Sequence, residues 1–350
     1  MIRPFDLRDI PLVRELEPQG TPLFTEAALT GRTAPLRGAI VAYLAFGERG
    51  TPTFILHERE NGRWLRAFAQ LRHPAGAERA RLSYIAPKPT SADVATSGWT
   101  RLLQRLVEAA GERGAQSVVA EAPEGSEEVV WLRNAGFVVY ARQDVWRLAT
   151  PPPAQPADHP NSLRPRRASD TWGVHLLYAN TAPRLLQLAE PPPGESTDGW
   201  RRGYVMQGKG DEIVAYVEIR HGPRGIWIKA LLHPEADERA HELIASALAL
   251  TANRSSQTPI YWGVRRYQDW LRGPLADFGF EPWSSQAVMF KQIASRVEQP
   301  EFALIPALEK RPEITTPISG QPSAISPQPP FLTAEKWRTR SLRYKLTAEG

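Results

Sequence analysis

Thirteen residues near the middle of the chain, TPPPAQPADHPNS from Thr150 to Ser162, carry five prolines and almost nothing apolar. Proline fixes φ and has no amide hydrogen, so this run reads as an extended, semi-rigid linker and not as a packed element. Whatever the chain folds into must be built on its two sides. With 350 residues in all, each side is long enough for an ordinary domain, and 42% hydrophobic content lets each bury a core. After about Ile293 the sequence becomes EQPEFALIPALEKRPEITTPISGQPSAISPQPP, rich in proline and polar residues, which predicts a largely disordered extension. The expected organisation is a first domain over 1–149, a linker over 150–162, a second domain over 163–294 and a tail over 295–350.

In the first half IRPF opens as a strand, and Asp9 followed by Ile10 and Pro11 predicts a helix cap with proline in the first turn. TFILHE and RWLRAFAQLR read as hairpin strands joined at Asn61-Gly62, and ARLSYIAP as a third strand. SGWTRLLQRLVEAAGERGA places Leu102, Leu103, Leu106 and Val107 at helical spacing and ends at Gly114. QSVVAEAP predicts a buried strand, EEVVWLRNAG a helix stopped by Gly136, and FVVYARQDVWRL a last strand. The second half repeats the order. SLRPRRASD mirrors IRPFDLRD, Asp170 is placed to cap TWGVHLLYA, and EIVAYVEIRH and GIWIKALLHP read as strands. They are followed by the helix ELIASALALTANR, the strand TPIYWGV and DWLRGPLADFGF, which ends in Gly279-Phe280 as the first helix ends in Gly136-Phe137.

Several classes are excluded or weakened. No run of about 18 apolar residues is present, and MIRPFDLRDI has no apolar stretch that could serve as a signal, so a soluble cytoplasmic protein without a membrane span is expected. Cysteine is absent, which removes disulfides, thiolate nucleophiles and thiolate-bound zinc. The seven histidines form no H-x-x-x-H cluster, so no metal is expected. A formal charge of +5 is too small to argue for nucleic acid. Much of it sits in the tail, where Lys336, Arg338, Arg340, Arg343 and Lys345 interleave with aromatics. That segment is compatible with nucleic-acid or acidic-surface binding, and equally with a docked helix or a solvated terminus.

The order of elements, LLHPEADER at a strand end, and GERGAQSVVAEAPEGSEEVVWLRNAGFVVYARQDVWRL resemble the GNAT acetyltransferase superfamily. The likeness covers residues 1 to 149 and, more loosely, 163 to 293. It implies a mixed α/β sheet and two GNAT-like domains in tandem. It also implies acetyl-CoA or another acyl-CoA as co-substrate, and a small-molecule or protein amine as acceptor. In that family a loop Q/R-x-x-G-x-G/A opens a helix and wraps the pyrophosphate, because converging N–H groups at a helix start attract an anion and glycine lets the backbone approach. Laid onto the first half the motif falls on Val94, Ser97 and Trp99, and the small residues Ala95, Thr96, Ser97 and Gly98 leave backbone amides able to reach a phosphate. In the second half the positions are Asp237, Ala240 and Glu242, with Glu238 adjacent. A like charge about 4 Å away costs roughly 1 kcal/mol in water and about 4 at a protein surface. These acids therefore predict a lost site in the second copy, where they read more simply as first-turn residues on a solvated face.

The family often places a proton-donating tyrosine five residues before the G-F phenylalanine; here those positions are Leu132 and Leu275. Tyr140 and Tyr84 remain as donors, read as strand residues with hydroxyls at the surface. Glu121 on QSVVAEAP is a candidate general base, and Glu218 another, each weighed against a place on a solvated strand face. Trp99, Trp131, Trp262 and Trp270 read mainly as packing, with Trp99 also placed to stack on an adenine. Two functions follow. One is an N-acyltransferase that binds acyl-CoA at Ala95 to Trp99 while the second half shapes the acceptor cleft. The alternative is a catalytically degenerate GNAT-fold binding or scaffold protein.

Overall fold

A computed structural model describes residues 1–45, 51–60, 62–74, 76–90, 97–150, 161–194, 201–251 and 258–293. The tail beyond 293 and the linker over 151–160 lie outside the described residues. The first half runs β1 (Ile2–Pro4), α1 (Ile10–Leu16), β2 (Thr21–Pro22), α2 (Thr25–Thr30), α3 (Pro35–Leu44), β3 (Thr53–Glu60), β4 (Arg63–Arg72) and β5 (Arg79–Ala86). It continues through α4 (Ser97–Glu112), β6 (Ser117–Pro123), α5 (Glu127–Asn134) and β7 (Val138–Leu148). The second half follows with β8 (Leu163–Pro165), α6 (Thr171–Thr181), α7 (Arg184–Ala189), β9 (Arg201–Gln207), β10 (Ile213–His221) and β11 (Ile226–Leu232). It ends in α8 (Ala240–Thr251), β12 (Ile260–Arg265), α9 (Arg272–Asp277) and β13 (Glu281–Gln292).

The repeat read from the sequence is present atom by atom at its anchors. The guanidinium of Arg3 donates to both carboxylate oxygens of Asp9 at 2.7 and 2.6 Å, and the Asp6 amide donates to the same carboxylate at 2.9 Å. In the second half Arg164 grips Asp170 at 2.7 and 2.8 Å, and the Arg167 amide adds a bond at 2.6 Å. Both are bidentate, charge-assisted pairs that fix the strand-to-helix turn. At the other end, Gly136 and Gly279 take φ of +85° and +81°. The following amides, Phe137 and Phe280, each reach back to a leucine carbonyl, Leu132 and Leu275, at 3.0 Å. This is the hydrogen-bonded helix stop that favours glycine because no Cβ opposes the left-handed conformation.

The strands form one mixed sheet in the order β1-β3-β4-β5-β6-β13-β7-β12-β11-β10-β9-β8, with β2 added beside β5. The sequence boundaries at 149 and 163 therefore do not divide the sheet. The last strand of each half is inserted into the other: β13 lies between β6 and β7, and β7 between β13 and β12. Their antiparallel register is itself two-fold. Val138 faces Phe290 and Arg147 faces Glu281, while Gln143 faces Gln286 at the centre. Irregularities occur symmetrically, one at Tyr140 and one at Trp283, each a residue without a partner across the pair.

Helices cover both faces, which suits the near-continuous burial of β6, whose sequence SVVAEAP is buried from Ser117 to Ala122. On one face α4 and α5 pack Leu102, Leu103, Leu106, Trp131 and Leu132 onto β3 to β6 and β13. In the second half Leu243, Ile244, Leu271 and Leu275 do the same over β8 to β12. On the opposite face the helices cross over. Helix α2 of the first half packs against β11 and α7 of the second half against β7, so each half contributes cover to its neighbour's strands.

Candidate active-site clefts

A parallel strand pair that parts along its length leaves two backbone edges exposed, and an extended ligand can hydrogen-bond there as an additional strand. Two such pairs exist. Strands β5 and β6 are paired over Arg79 to Arg81 with Ser117 to Val119, and β11 and β12 over Ile226 to Lys229 with Ile260 to Gly263. Beyond those residues each pair separates, and both openings are occupied by the chain itself.

In the first half the occupant is main chain. Strand β2 pairs antiparallel with β5, Thr21 against Ile85 and Pro22 against Tyr84. The next residue bridges the gap: the Leu23 amide donates to the Ser83 carbonyl at 3.1 Å, and the Glu121 amide on β6 donates to the Leu23 carbonyl at 2.8 Å. In the second half the occupant is a side-chain amide. Gln268, 1% exposed, accepts a bond from the Leu232 amide at 2.9 Å and donates from Nε2 to the Ala230 carbonyl at 3.1 Å. Its carboxamide thus presents to the free edge of β11 the same donor and acceptor that a neighbouring strand would.

The residues singled out from sequence fall around these openings. Ala95 and Thr96 lie outside the described residues. Helix α4 begins at Ser97, and Gly98 is buried in its first turn. Trp99 is fully buried in the core, its ring set edge-on to Trp131 at 5.5 Å, and so its ring is not available to stack on an adenine. Trp131 and Trp262 are core residues as expected, with Trp270 packed against the second core. Glu121 is 5% exposed, and its carboxylate accepts the Thr25 amide at 2.9 Å, which caps α2 at its positive end. That carboxylate is engaged in holding the segment that fills the cleft. Glu218 is partly buried and paired with Arg201. Neither glutamate sits on an open solvated face.

Leu132 and Leu275 are both wholly buried. The tyrosine hydroxyls, expected at the surface, are turned inward: Tyr84 donates to the Glu17 carbonyl at 2.6 Å, and Tyr140 to the Glu190 carboxylate at 2.5 Å. Around Asp237 the chain forms a 3-10 turn, Pro234–Arg239. The one cation there, Arg239, is drawn onto Glu242 at 2.7 and 3.0 Å. A phosphate at this helix start would have to displace that pair.

Two carboxylates that bridge the halves, Glu26 and Glu190, escaped the sequence reading. Glu26, on α2, is 1% exposed and lies among three cations of the second half, Arg201 at 2.7 Å, Arg220 at 2.9 Å and Lys229 at 3.8 Å. Burial alone would raise its pKa, but Lys229, Arg201 and Arg220 hold it down, to about 2. Glu190, after α7, is the reciprocal insertion. It reaches Arg265 and the Tyr140 hydroxyl, and the cations Arg265 and Lys229, with the bond donated by Tyr140, outweigh burial and bring it to about 2 as well. Burial and the nearby Glu190 in turn push Tyr267 up to about 12 despite Arg265. A lone glutamate in TEAALT, or after LLQLA, carries no sequence signal for such a role, because its partners are 175 or more residues away along the chain for Glu26 and 50 or more for Glu190.

No family model matches the chain, and no curated protein matches it. Among solved structures it is similar to a GCN5-related N-acetyltransferase from Sphaerobacter thermophilus. The identity is 13% over 83% of this chain and 95% of that one, with a TM-score of 0.48. A tandem GNAT protein from the clavulanic acid biosynthesis pathway is 15% identical over 83% of this chain and 98% of that one, TM-score 0.44. An acetyltransferase from the GNAT family of Colwellia psychrerythraea is 12% identical over 84% and 100%, TM-score 0.37. Likeness at these identities is one of fold. Among the described residues no helix is long and apolar enough to cross a membrane, and no group of three histidine, aspartate or glutamate side chains could hold a metal ion.

Proposed function

We propose that this protein is a GNAT-like scaffold that has given up acyl transfer and works by binding. The observation that carries the reading is the occupation of both strand edges, by Thr21 to Leu23 in one half and by the Gln268 amide in the other. Acyl transfer without a covalent intermediate needs the thioester held by backbone N–H groups while an amine attacks, and here those groups are already paired. Removing Leu23 or Gln268 to admit a ligand would leave buried backbone groups unsatisfied, at about 1–3 kcal/mol each. The neighbouring groups point the same way, since Glu121 caps a helix and both positions expected to hold a proton-donating tyrosine are leucines.

Calorimetric titration with acetyl-CoA, run beside a thiol-release assay with amine acceptors, tests the reading. The protein has no cysteine, so every thiol detected is free CoA. We expect no heat at millimolar acetyl-CoA and no release. Saturable binding with amine-dependent release would overturn the proposal and restore the N-acyltransferase. In that event the first half is the place to look: α4 opens with Gly98 in its first turn, whereas the corresponding turn of the second half is closed by Arg239 on Glu242.

A further inference from the structure

The two-fold register of β7 and β13 supplies an internal control for every position near the junction, and one position fails it. Beside the irregularity at Trp283 lies an open pocket of about 580 Å³, lined by side chains of both halves, among them Asp144, Trp146, Arg266, Arg272, Trp283 and Ser285. Its volume lies within the range usual for small-ligand sites. Counting along the matched strands and helices from the Gly136 and Gly279 anchors, the counterparts of Asp144, Trp146 and Arg272 are Ala287, Met289 and Val129. All three belong to the hydrophobic core of the first half. The same backbone thus encloses a packed apolar wall on one side of the axis and a polar, open hollow on the other. Solubility does not require a polar pocket there, because the packed version is built from the same architecture.

The lining has donors in surplus. Asp144 is the acidic member and is saturated, accepting from Ser285 Oγ at 2.7 Å, Arg272 at 2.5 Å and Arg266 at 3.4 Å. Arg266 is further held by Glu124 and Arg272 by Asp269, which fixes both guanidinium groups without using all five donors of either. Trp146 is 8% exposed and belongs to the hydrophobic core of the second half, with its indole nitrogen sealed from solvent. Trp283 is half-exposed at the rim, with the Arg147 guanidinium 4.6 Å from its ring centroid. Two preset arginines call for an oxygen-rich anion, and the half-exposed Trp283 indole for a flat apolar body.

We propose that this pocket binds a small organic anion, a carboxylate or phosphate on a planar or apolar body, with Arg266 and Arg272 receiving the anionic oxygens and Trp283 the body. The site is separate from the two clefts, so it stands or falls independently of acyl-CoA binding. The test uses full-length protein in chloride buffer, titrated calorimetrically with phenyl phosphate, benzoate and inorganic phosphate. Phenyl phosphate or benzoate should bind saturably at one site, and inorganic phosphate more weakly. Arg272→Met should weaken binding about tenfold or more, and Trp283→Ala should remove the advantage of the ring-bearing probes. Arg105→Met, on α4 and ion-paired with Glu108 and Glu112, should change nothing. Arg266→Lys keeps the charge and removes the planar fork, so a loss of affinity in a normally folded variant supports the site even if Arg272→Met proves unstable. No saturable binding by either ring-bearing probe would overturn the proposal, as would binding indifferent to both Arg266→Lys and Arg272→Met; an equal response to Arg105→Met would mark an adventitious surface ion and overturn it too.

Discussion

The two halves share their anchors, their order of elements and the register of their last strands, and differ in how the clefts and the junction are filled. The Arg3–Asp9 and Arg164–Asp170 locks agree within a few tenths of an ångström, and the helix stops at Gly136 and Gly279 have the same backbone hydrogen bonds, with Lys291 adding a bond to the Ala135 carbonyl in the first. Between these anchors the first half closes its cleft with main chain and packs an apolar wall at the junction. The second half closes its cleft with one glutamine side chain and leaves a polar pocket. Backbone geometry is set by a few residues at turns and strand ends, and when those are kept, the groups that would meet a ligand are free to diverge. Duplication with exchanged last strands adds a constraint, because neither half retains a complete sheet of its own.

The largest expected effect follows from that exchange. Without β13 the first half loses the strand that covers β6 and pairs β7, and without β7 the second half loses the cover of β12. Residues 1–149 and 150–297 produced separately should each fail to show a cooperative melting transition. Produced together they should form a one-to-one complex with near-native circular dichroism. Autonomous folding of either piece would break the comparison, since it would make the exchange an ornament of two self-sufficient domains.

Next come the reciprocal carboxylates. Glu26→Gln leaves Arg201, Arg220 and Lys229 without their buried counter-charge and should cost about 3–5 kcal/mol in urea unfolding. Glu190→Gln should cost less, about 1–3 kcal/mol, because 26% of its side chain is open to solvent and the amide oxygen still accepts from Tyr140. Both folded-state pKa values lie near 2 against an ordinary 4.5. Their contribution is therefore complete above about pH 4.5 and is lost as pH falls toward 2. The acid limb of the stability curve should flatten in either variant. Equal losses from the two substitutions would show that the second-half site is as sealed as the first.

Gln268→Ala comes third. It strips the Leu232 amide and Ala230 carbonyl of their partners and should cost about 1–3 kcal/mol, whereas no side-chain change can remove the main-chain bridge through Leu23. If Gln268→Ala costs nothing by thermal melting, water replaces the amide and the second cleft is open in a way the first is not.

How much of this was legible in the sequence depends on whether a feature is local. The helix with Leu102, Leu103 and Leu106 at one spacing, the hairpin strands and the G-F stops are encoded within a few residues, and each lies where the pattern puts it. Asp9 and Asp170 do stand at the starts of α1 and α6, but they do not cap those helices as expected, because their carboxylates turn back to Arg3 and the Asp6 amide and to Arg164 and the Arg167 amide. Strand β9, RRGYVMQ, and strand β2, two residues long, carry no alternation to announce them and exist because β10 and β5 offer edges. The exchange of β7 and β13 has no local signal at all, since either strand would read the same beside its own half. For the same reason Glu121 and Trp99 were legible as residues of interest, but their contacts, with Thr25 and Trp131, depend on what crosses the sheet.

The smallest expected effect is also the most exacting test of the duplication. A Cβ added at Gly136 would meet Lys291 Nζ at 3.5 Å, and one at Gly279 would meet Leu148 Cδ1 at 3.7 Å, both ordinary contacts. Steric crowding therefore does not distinguish the two sites, and what remains is the penalty of holding alanine at φ of +85° or +81°, about 1–2 kcal/mol each. Gly136→Ala and Gly279→Ala should lower the urea midpoint by the same amount with unchanged slope, and the double variant by the sum, because the two sites share no partner. A difference above about 1 kcal/mol between the single variants, or a double variant far from additive, would mean that one helix stop is strained or supported by something its counterpart lacks. The anchors would then have diverged along with the clefts, and the positional matching that sets Arg272 opposite Val129 would lose its reference points.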